Sequence, residues 1–551
     1  MKYLKTHFIM NKRKINVVIG DDGTYLYLSF PFNRGLVDEI KMSTEVRQWM
    51  NREKMWKIKK TDRNLFIVSY LMGENPYSKY DLPLSIDAKA SALPIEWWYH
   101  QKKMYAHIIQ RMQVIIAGEM RTGKTWPTLQ AIIDTNCNDA WWVAPKSALR
   151  GLKSELLKHN FPLNIFLLTY ARFRRIWTRS LDIVPKFCVF DEAQKLKNPR
   201  SKQGQFAREL AVLQKQKYGD NRYMVLLSGT PAPKDPADWW NTTEIACAGF
   251  LREGSHTQLK QTVAEFEEKE AQPGQKYWKL VAYKEHEVAN LYKRLDGLVE
   301  VFLKKDCLDL PEMVYDTVVL DVSNDYKRAS NMLRNSETMA VQLRNKLRQL
   351  SDGFTYTKVI NKETATEERV TKYFPDCPKD VQLRSDLDEF KDVGRIVVGC
   401  GYQASLDKIV AICIEKDWAV LKVDGRGWHA LNTTKTVDEC LKEMDRSLNQ
   451  GDIPKLAFCA QVDSASTGLE LSASPVIIFY SNSDNGDSRM QFKARAHSTN
   501  MDYSRGLEIR DYVHIPVDQL VLDKLLAKET LQSITMGDLD AAMGGLWTIR
   551  R

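Results

Sequence analysis

One octapeptide constrains this chain more than any other stretch: GEMRTGKT at 118–125, preceded by the apolar run 114–117 and followed by WPTLQAII at 126–133. It fits the pattern G-x-x-x-x-G-K-[ST] in the setting that pattern needs, a short buried strand before it and a helix after it. Glycines at 118 and 123 let the backbone turn tightly and aim its N–H groups at phosphate oxygens, while the following helix presents its positive end to the same anion. Read this way, Lys124 reaches the outer phosphates and Thr125 holds Mg²⁺. Gly118, Thr122, Gly123, Lys124 and Thr125 are then the candidate nucleotide contacts. The competing reading is a plain glycine turn ahead of a helix. VFDEAQ at 189–194 weighs against it, because 187–190 reads as a buried strand with Asp191 and Glu192 at its C-terminal end. Open α/β sheets place their ligands at that edge. Asp191 is the second candidate Mg²⁺ ligand, Glu192 the group that positions an attacking water, and Gln194 belongs to the same catalytic motif.

A length of 551 residues leaves room for about three to four domains of roughly 150 residues each. Hydrophobic residues at 44% and charged residues at 27% are ordinary for a soluble globular chain. The formal charge of +10 leans toward a polyanionic partner, weakly when spread over this length. Nine scattered cysteines form no C-x-x-C pair and have no histidine at zinc spacing, so they read as small core residues in a reducing compartment. No apolar run reaches the ~18 residues of a membrane span, and the N-terminus has no signal-like apolar region. A cytosolic location is expected.

Ahead of the octapeptide, 25–30 alternates as a strand and 35–42 is a helix candidate. The segment 46–60 interleaves tryptophans with basic residues: Arg47, Trp49, Arg52, Lys54, Trp56, Lys57, Lys59 and Lys60. Such a cluster can grip phosphates and stack on exposed bases. The alternative is a solvated strand pair whose tryptophans are core. A helix is expected over 93–109. After the octapeptide, 140–151 and 166–173 each read as a buried strand, a turn and a new helix, so Lys146, Ser147 and Thr169 fall on the ligand edge of a parallel sheet and could hold a nucleic-acid backbone. Ser228 and Thr230 end another apolar strand. Residues 242–320 read as mostly charged helix, 326–350 as one long helix, and 353–379 as a hairpin insertion. From 395 the α/β rhythm returns, with a capping box at Thr436 and Glu439.

Taken in order, HQ, GEMRTGKT, VAPKSAL, LLTY, DEAQKLKN and LSGTP resemble the first motor domain of the Swi/Snf-type ATPases of helicase superfamily 2, and the resemblance runs over about 93–535. It implies that Gln101 reads the adenine edge. STGLEL, with Gly468, is similar to the family's glycine motif in the second lobe, a site of close approach to nucleotide or nucleic acid. Gln491, Arg495 and His497 are similar to the last motif, whose arginines reach the γ-phosphate. The segment 46–60 resembles the HARP-like module that precedes the motor in annealing helicases, and the whole resembles short phage and bacterial relatives. The resemblance therefore implies an ATP- and Mg²⁺-dependent translocase on double-stranded DNA that remodels or anneals forked or branched structures. An RNA-dependent ATPase and a DNA-structure-binding protein with little turnover are the alternatives. Arg121 stands where a glycine is usual, Gln194 where a histidine is usual, and Ser498 where a second arginine is usual; the last implies slow intrinsic hydrolysis.

The expected architecture is α/β, with two RecA-like parallel-sheet lobes preceded by a small α+β module. The boundaries are 1–88 for the basic and aromatic module, 89–300 for the first ATPase lobe, 301–385 for a helical connector with its hairpin, and 386–551 for the second lobe and C-terminal helix.

Overall fold

A computed structural model describes residues 2–10, 13–71, 78–86, 97–137, 139–158, 161, 165–177, 183–229, 235–272, 275–336, 340–360, 367–465, 469–527 and 529. The chain divides into two compact units at Cys307 and Leu308.

The first unit begins with an antiparallel sheet whose strands lie in the order Lys2–Met10, Arg13–Asp21, Tyr25–Ser29, Met55–Lys59, Arg47–Met50. The helices Arg34–Ser43 and Asp62–Leu71 supply Leu36, Ile40, Ile67, Val68 and Leu71 to its core, where they join Leu26, Leu28, Trp56 and Ile58. Asn33 sets the start of the first helix, its Oδ1 accepting from the Leu36 N–H at 3.0 Å. This is the small α+β module.

Its neighbour in the same unit is a six-stranded parallel sheet in the order Val299–Phe302, Gln113–Gly118, Tyr223–Ser228, Phe187–Asp191, Ala140–Ala144, Ile165–Thr169. Successive residues of one strand serve opposite cores. Ile115 and Ala117 pack with Trp141, Phe190 and Trp239, while Val114 and Ile116 pack with Leu129, Ile132 and Trp142. Burial on both faces is why these strands read as unbroken apolar runs. The second unit repeats the plan with seven strands: Met313–Val319, Leu507–Val513, Val476–Phe479, Arg395–Cys400, Leu456–Gln461, Ala419–Asp424 and, antiparallel at the edge, Gly427–Leu431. The two RecA-like lobes and the preceding module are thus as expected from the sequence.

Two expectations need correction. Residues 242–320 are not mostly helix. Between the helices His256–Val263 and Glu285–Arg294 lies an antiparallel ribbon, Ala264–Gln272 with Gln275–Tyr283, and strands Val299–Phe302 and Met313–Val319 follow. The ribbon's charges face solvent on both sides and pair along and across it, as Lys276 does with Glu268 at 3.1 Å, so no period-2 apolar signal marks it. The long helix over 326–350 is two helices, Asn324–Ser336 and Ala340–Ser351. The expected helix over 93–109 runs Tyr99–Arg111 among the described residues. The hairpin insertion is present as Phe354–Ile360 paired with Glu367–Tyr373. Thr436 and Glu439 form the reciprocal capping box.

The insertion is anchored in the second unit by a buried polar cluster. The Lys379 ammonium lies 2.9 Å from Asp352 and 3.0 Å from Asp518. Burial alone would lower its pKa, but the two carboxylates raise it, so the charge is retained inside the core.

Among the described residues, no helix is long and apolar enough to cross a membrane.

Candidate active site

The strand Gln113–Gly118 ends in a loop that leads into the helix Thr125–Asp134. Space around Gly118 is closed to any side chain: a Cβ there would stand 2.9 Å from Thr122 Oγ1 and 3.1 Å from Lys124 Cδ. Gly123 has a φ of +75°, and a Cβ on it would lie 2.3 Å from Gln101 Nε2. Both glycines are therefore demanded by geometry, one by crowding and one by backbone conformation as well. Thr122 is buried, and its hydroxyl donates to the Glu119 carbonyl at 2.8 Å. Its own carbonyl accepts from His100 Nε2 at 2.9 Å, and burial lowers the pKa of that imidazole. Arg121 has a φ of +71°, the left-handed region that the usual glycine would occupy without strain. Lys124 folds over the loop, its ammonium donating to the carbonyls of Gly118 at 2.6 Å and Glu119 at 3.0 Å. Thr125 is the first residue of the helix, half-buried beside it.

Across the central strand Tyr223–Ser228, the neighbouring Phe187–Asp191 delivers the acidic pair. Desolvation pushes the Asp191 carboxyl up to about 6, with the Glu192 charge adding to the shift and Lys124 opposing it. A carboxylate crowded in this way favours a cation beside it. Glu192 itself sits in the left-handed region, with φ 55° and ψ 50°. Gln194 donates through Nε2 to Glu192 Oε2 at 2.5 Å, and its Oε1 accepts from the Ser228 hydroxyl at 2.8 Å. The carboxamide thus fixes Glu192 to the end of the central strand.

Gln101 is buried at the start of its helix, where its Oε1 accepts from the Trp98 N–H at 3.2 Å and its amide lies against the phosphate-loop glycine. Its described contacts are therefore to helix cap and loop. In the second unit, Gln491 is buried on the helix Gly486–Ala496, and half-buried Arg495 offers its carbonyl to the Leu471 N–H at 3.0 Å. His497 Nε2 donates to the Pro311 carbonyl at 2.8 Å. Ser498 is buried, its hydroxyl donating to Glu470 at 2.7 Å. Gly468 and Thr230 lie outside the described residues.

The proposed nucleic-acid contacts divide. Arg47, Trp49 and Arg52 are exposed on the hairpin of the N-terminal module, with Trp49 43% exposed. Trp56 is buried at 7% exposure, its ring centroid 5.3 Å from that of Trp49, so it props the exposed indole and does not itself offer a face to a base. Lys146 is exposed at a helix start, and the Ser147 side chain lies outside the described residues. The Thr169 hydroxyl accepts from the Arg172 N–H at 3.1 Å and so caps a helix.

Two residues have roles that the sequence does not assign, although Tyr170 closes the LLTY motif. Tyr170, buried behind the acidic strand, donates its hydroxyl to the Asp191 carbonyl at 2.7 Å. Arg63, buried in the module, pairs with Glu244 and donates to the carbonyls of Leu251, Arg252 and Glu253 at 3.1, 2.8 and 2.6 Å. A tyrosine after a strand or an arginine in the first turn of a helix is ordinary until the distant partner is known.

A family model described as the SNF2-related domain matches residues 58–369. Among solved structures, the chain is similar to a Sulfolobus solfataricus SWI2/SNF2 ATPase core in complex with dsDNA, at 19% identity and a TM-score of 0.37, with 84% of this chain and 97% of that one covered. No curated protein matches the chain.

Proposed function

The chain belongs to the SNF2-related domain family, whose model covers more than half of it, and from that premise we propose that it is an ATP-driven translocase on double-stranded DNA. The observation that carries the ATPase reading is the meeting of loop and acidic pair on one sheet edge: Lys124 acts electrostatically on Asp191, and Gln194 ties Glu192 to Ser228 on the strand between them.

The residues fit the nucleotide and its metal. Around the loop, Gly118 and Gly123 leave room only for backbone, which suits close approach of phosphate oxygens. The upward shift of Asp191 marks an oxygen ligand short of positive charge, and hard divalent cations are bound with one or two carboxylates. Thr125 and Asp191 would hold Mg²⁺, and the loop N–H groups with Lys124 would hold the phosphates. Mg²⁺, when bound, supplies charge neutralisation at the phosphate oxygens. Glu192 orients water through a carboxylate whose other face is fixed by Gln194. Gln491 and Arg495 are the second unit's proposed contribution to turnover.

DNA engagement is proposed to involve Lys146, Ser147 and Thr169 at the strand ends and Arg47, Trp49 and Arg52 on the module. An exposed indole flanked by cations suits unpaired bases next to a phosphate backbone, which supports action on forked or branched DNA, by remodelling or annealing.

The test is ATP turnover with forked DNA, plain duplex, single strands and RNA, for the natural protein and Lys124→Ala. Stimulation by duplex and fork, abolished in the variant, is the expected result. Stronger stimulation by RNA would move the protein to the RNA-dependent ATPases, and undiminished turnover in Lys124→Ala would remove the loop from the mechanism.

A further inference from the structure

Glu192 holds a backbone conformation that its residue type disfavours, with φ 55° and ψ 50°. Such an outlier persists only where its surroundings enforce it, and it points to function where it lies among reacting groups. The enforcing contacts are on both sides of a single peptide group, the one joining Asp191 to Glu192. Its N–H, from Glu192, donates to the Asp191 Oδ1 at 3.0 Å. Its carbonyl, from Asp191, accepts from the Tyr170 hydroxyl at 2.7 Å, and the same hydroxyl lies 3.4 Å from the Glu192 carbonyl. Beyond this peptide, the Glu192 carbonyl accepts from the Lys195 N–H at 3.0 Å, which starts the short helical turn Ala193–Leu196.

Tyr170 is itself held in place. It opens the helix Tyr170–Trp177, directly after the strand Ile165–Thr169, and Thr169 caps that helix through Arg172. Its ring is buried and lies nearly parallel to Phe190, with centroids 6.5 Å apart at 22°, and Phe173 packs edge-on to Phe190 at 5.5 Å. The ring packing fixes where the hydroxyl sits, and the hydroxyl fixes the carbonyl.

We infer that Tyr170 is a positioning residue for Glu192: by clamping the Asp191 carbonyl it holds the 191–192 peptide in the one orientation that keeps Glu192 left-handed and its carboxylate aimed at the water. Without the hydroxyl the peptide is free to rotate, and Glu192 relaxes toward ordinary backbone geometry with its carboxylate displaced. The inference rests on the assignment of Glu192 as the water-positioning group.

The test is Tyr170→Phe, which keeps the ring and removes only the donor, assayed with duplex DNA well below the unfolding temperature. The expected result is a kcat lower by about tenfold or more, the scale of misplacing a reacting group by a fraction of an ångström to an ångström. KM for ATP should stay within about twofold, because uniform binding is untouched. Single-turnover hydrolysis with enzyme in excess then compares Tyr170→Phe in the natural and Glu192→Gln backgrounds. If Tyr170 acts through Glu192, it adds little to the loss already present in Glu192→Gln. An unchanged kcat in Tyr170→Phe overturns the inference, as does an equal fractional loss in both backgrounds. A fall in kcat that only tracks a lost folded fraction, as read from thermal unfolding alongside Tyr170→Leu, overturns it too. Undiminished hydrolysis in Glu192→Gln alone would instead reject the assignment of Glu192 on which the inference stands.

Discussion

Arg63 of the N-terminal module and Glu244 of the first lobe form an ion pair in which both side chains are almost wholly buried, at 4% and 7% exposure. Burial raises the Glu244 pKa, and Arg63 is the first influence acting against it. The same guanidinium satisfies three successive carbonyls, those of Leu251, Arg252 and Glu253. The module is therefore locked to the first lobe by a charge with no solvent to fall back on.

Arg63→Ala should cost about 3–5 kcal/mol, because it strands a buried carboxylate and several carbonyls. Urea denaturation measures it, and adding Glu244→Gln should recover part of the loss. Removing the module entirely is expected to destabilise the first lobe for the same reason. A midpoint unchanged in Arg63→Ala would show that the pair contributes nothing.

Gln194 stands where a histidine is usual in the family, and the amide does what a neutral imidazole could do: it donates to Glu192 and accepts from Ser228 without titrating. Gln194→Met, similar in shape but without either polar end, should lower kcat by roughly 10- to 100-fold with ATP affinity retained. Ser228→Ala should act in the same direction and more weakly. Steady-state kinetics with direct nucleotide-binding measurements separate the two effects, and a rise in KM alone would make Gln194 a binding group.

What could be read in the sequence, and what could not, follows from the range of the interactions. The strand-end motifs were legible because a glycine loop, an apolar run and a carboxylate pair are local signals, and each of Lys124, Asp191 and Glu192 does lie at the C-terminal edge of the first parallel sheet. The ribbon Ala264–Gln272 with Gln275–Tyr283 was not legible, since strands solvated on both faces scatter Glu and Lys among Phe, Tyr and Trp with no strict alternation and so imitate a charged helix. Trp49 and Trp56 are alike in sequence and stand directly opposite each other on one face of the hairpin, yet Trp49 on the edge strand stays exposed while Trp56, one strand further in, is covered by the core. Arg63 and Tyr170 depend on partners 181 and 21 residues away.

Acid should weaken the first unit through His107. This imidazole is fully buried, its Nε2 donating to the Leu298 carbonyl at 3.3 Å, and burial pulls its pKa down from 6.5 to about 3. Between those two values the unfolded chain binds a proton that the native state refuses. Stability is therefore complete above about pH 6.5 and falls as pH drops below it, by up to about 1.4 kcal/mol per pH unit. His107→Gln keeps a donor for Leu298 and should flatten that slope. Urea unfolding at a series of pH values between neutral and acid gives the comparison; parallel pH dependences for the two proteins would clear His107 of the effect.

Ser498 stands where the family usually places a second arginine, and from sequence alone its lack of charge implies slow hydrolysis that an arginine would restore. The structure gives a different expectation. Ser498 is 4% exposed, its hydroxyl donates to Glu470 at 2.7 Å, and its carbonyl accepts from the Met501 N–H at 3.1 Å. A side chain as large as arginine overfills that site, and the nearest partner for its guanidinium is the Glu470 carboxylate of the same unit. Ser498→Arg should therefore lower stability by about 1–3 kcal/mol, the usual cost of overpacking. DNA-stimulated turnover should stay flat or fall, because the new charge is neutralised where it stands. Thermal unfolding and ATPase assays on Ser498→Arg, with Ser498→Ala as the small-side-chain control, decide between the two expectations. A rise of about tenfold or more, toward the range that a charge at the transferring phosphate supplies, would restore the missing-arginine account.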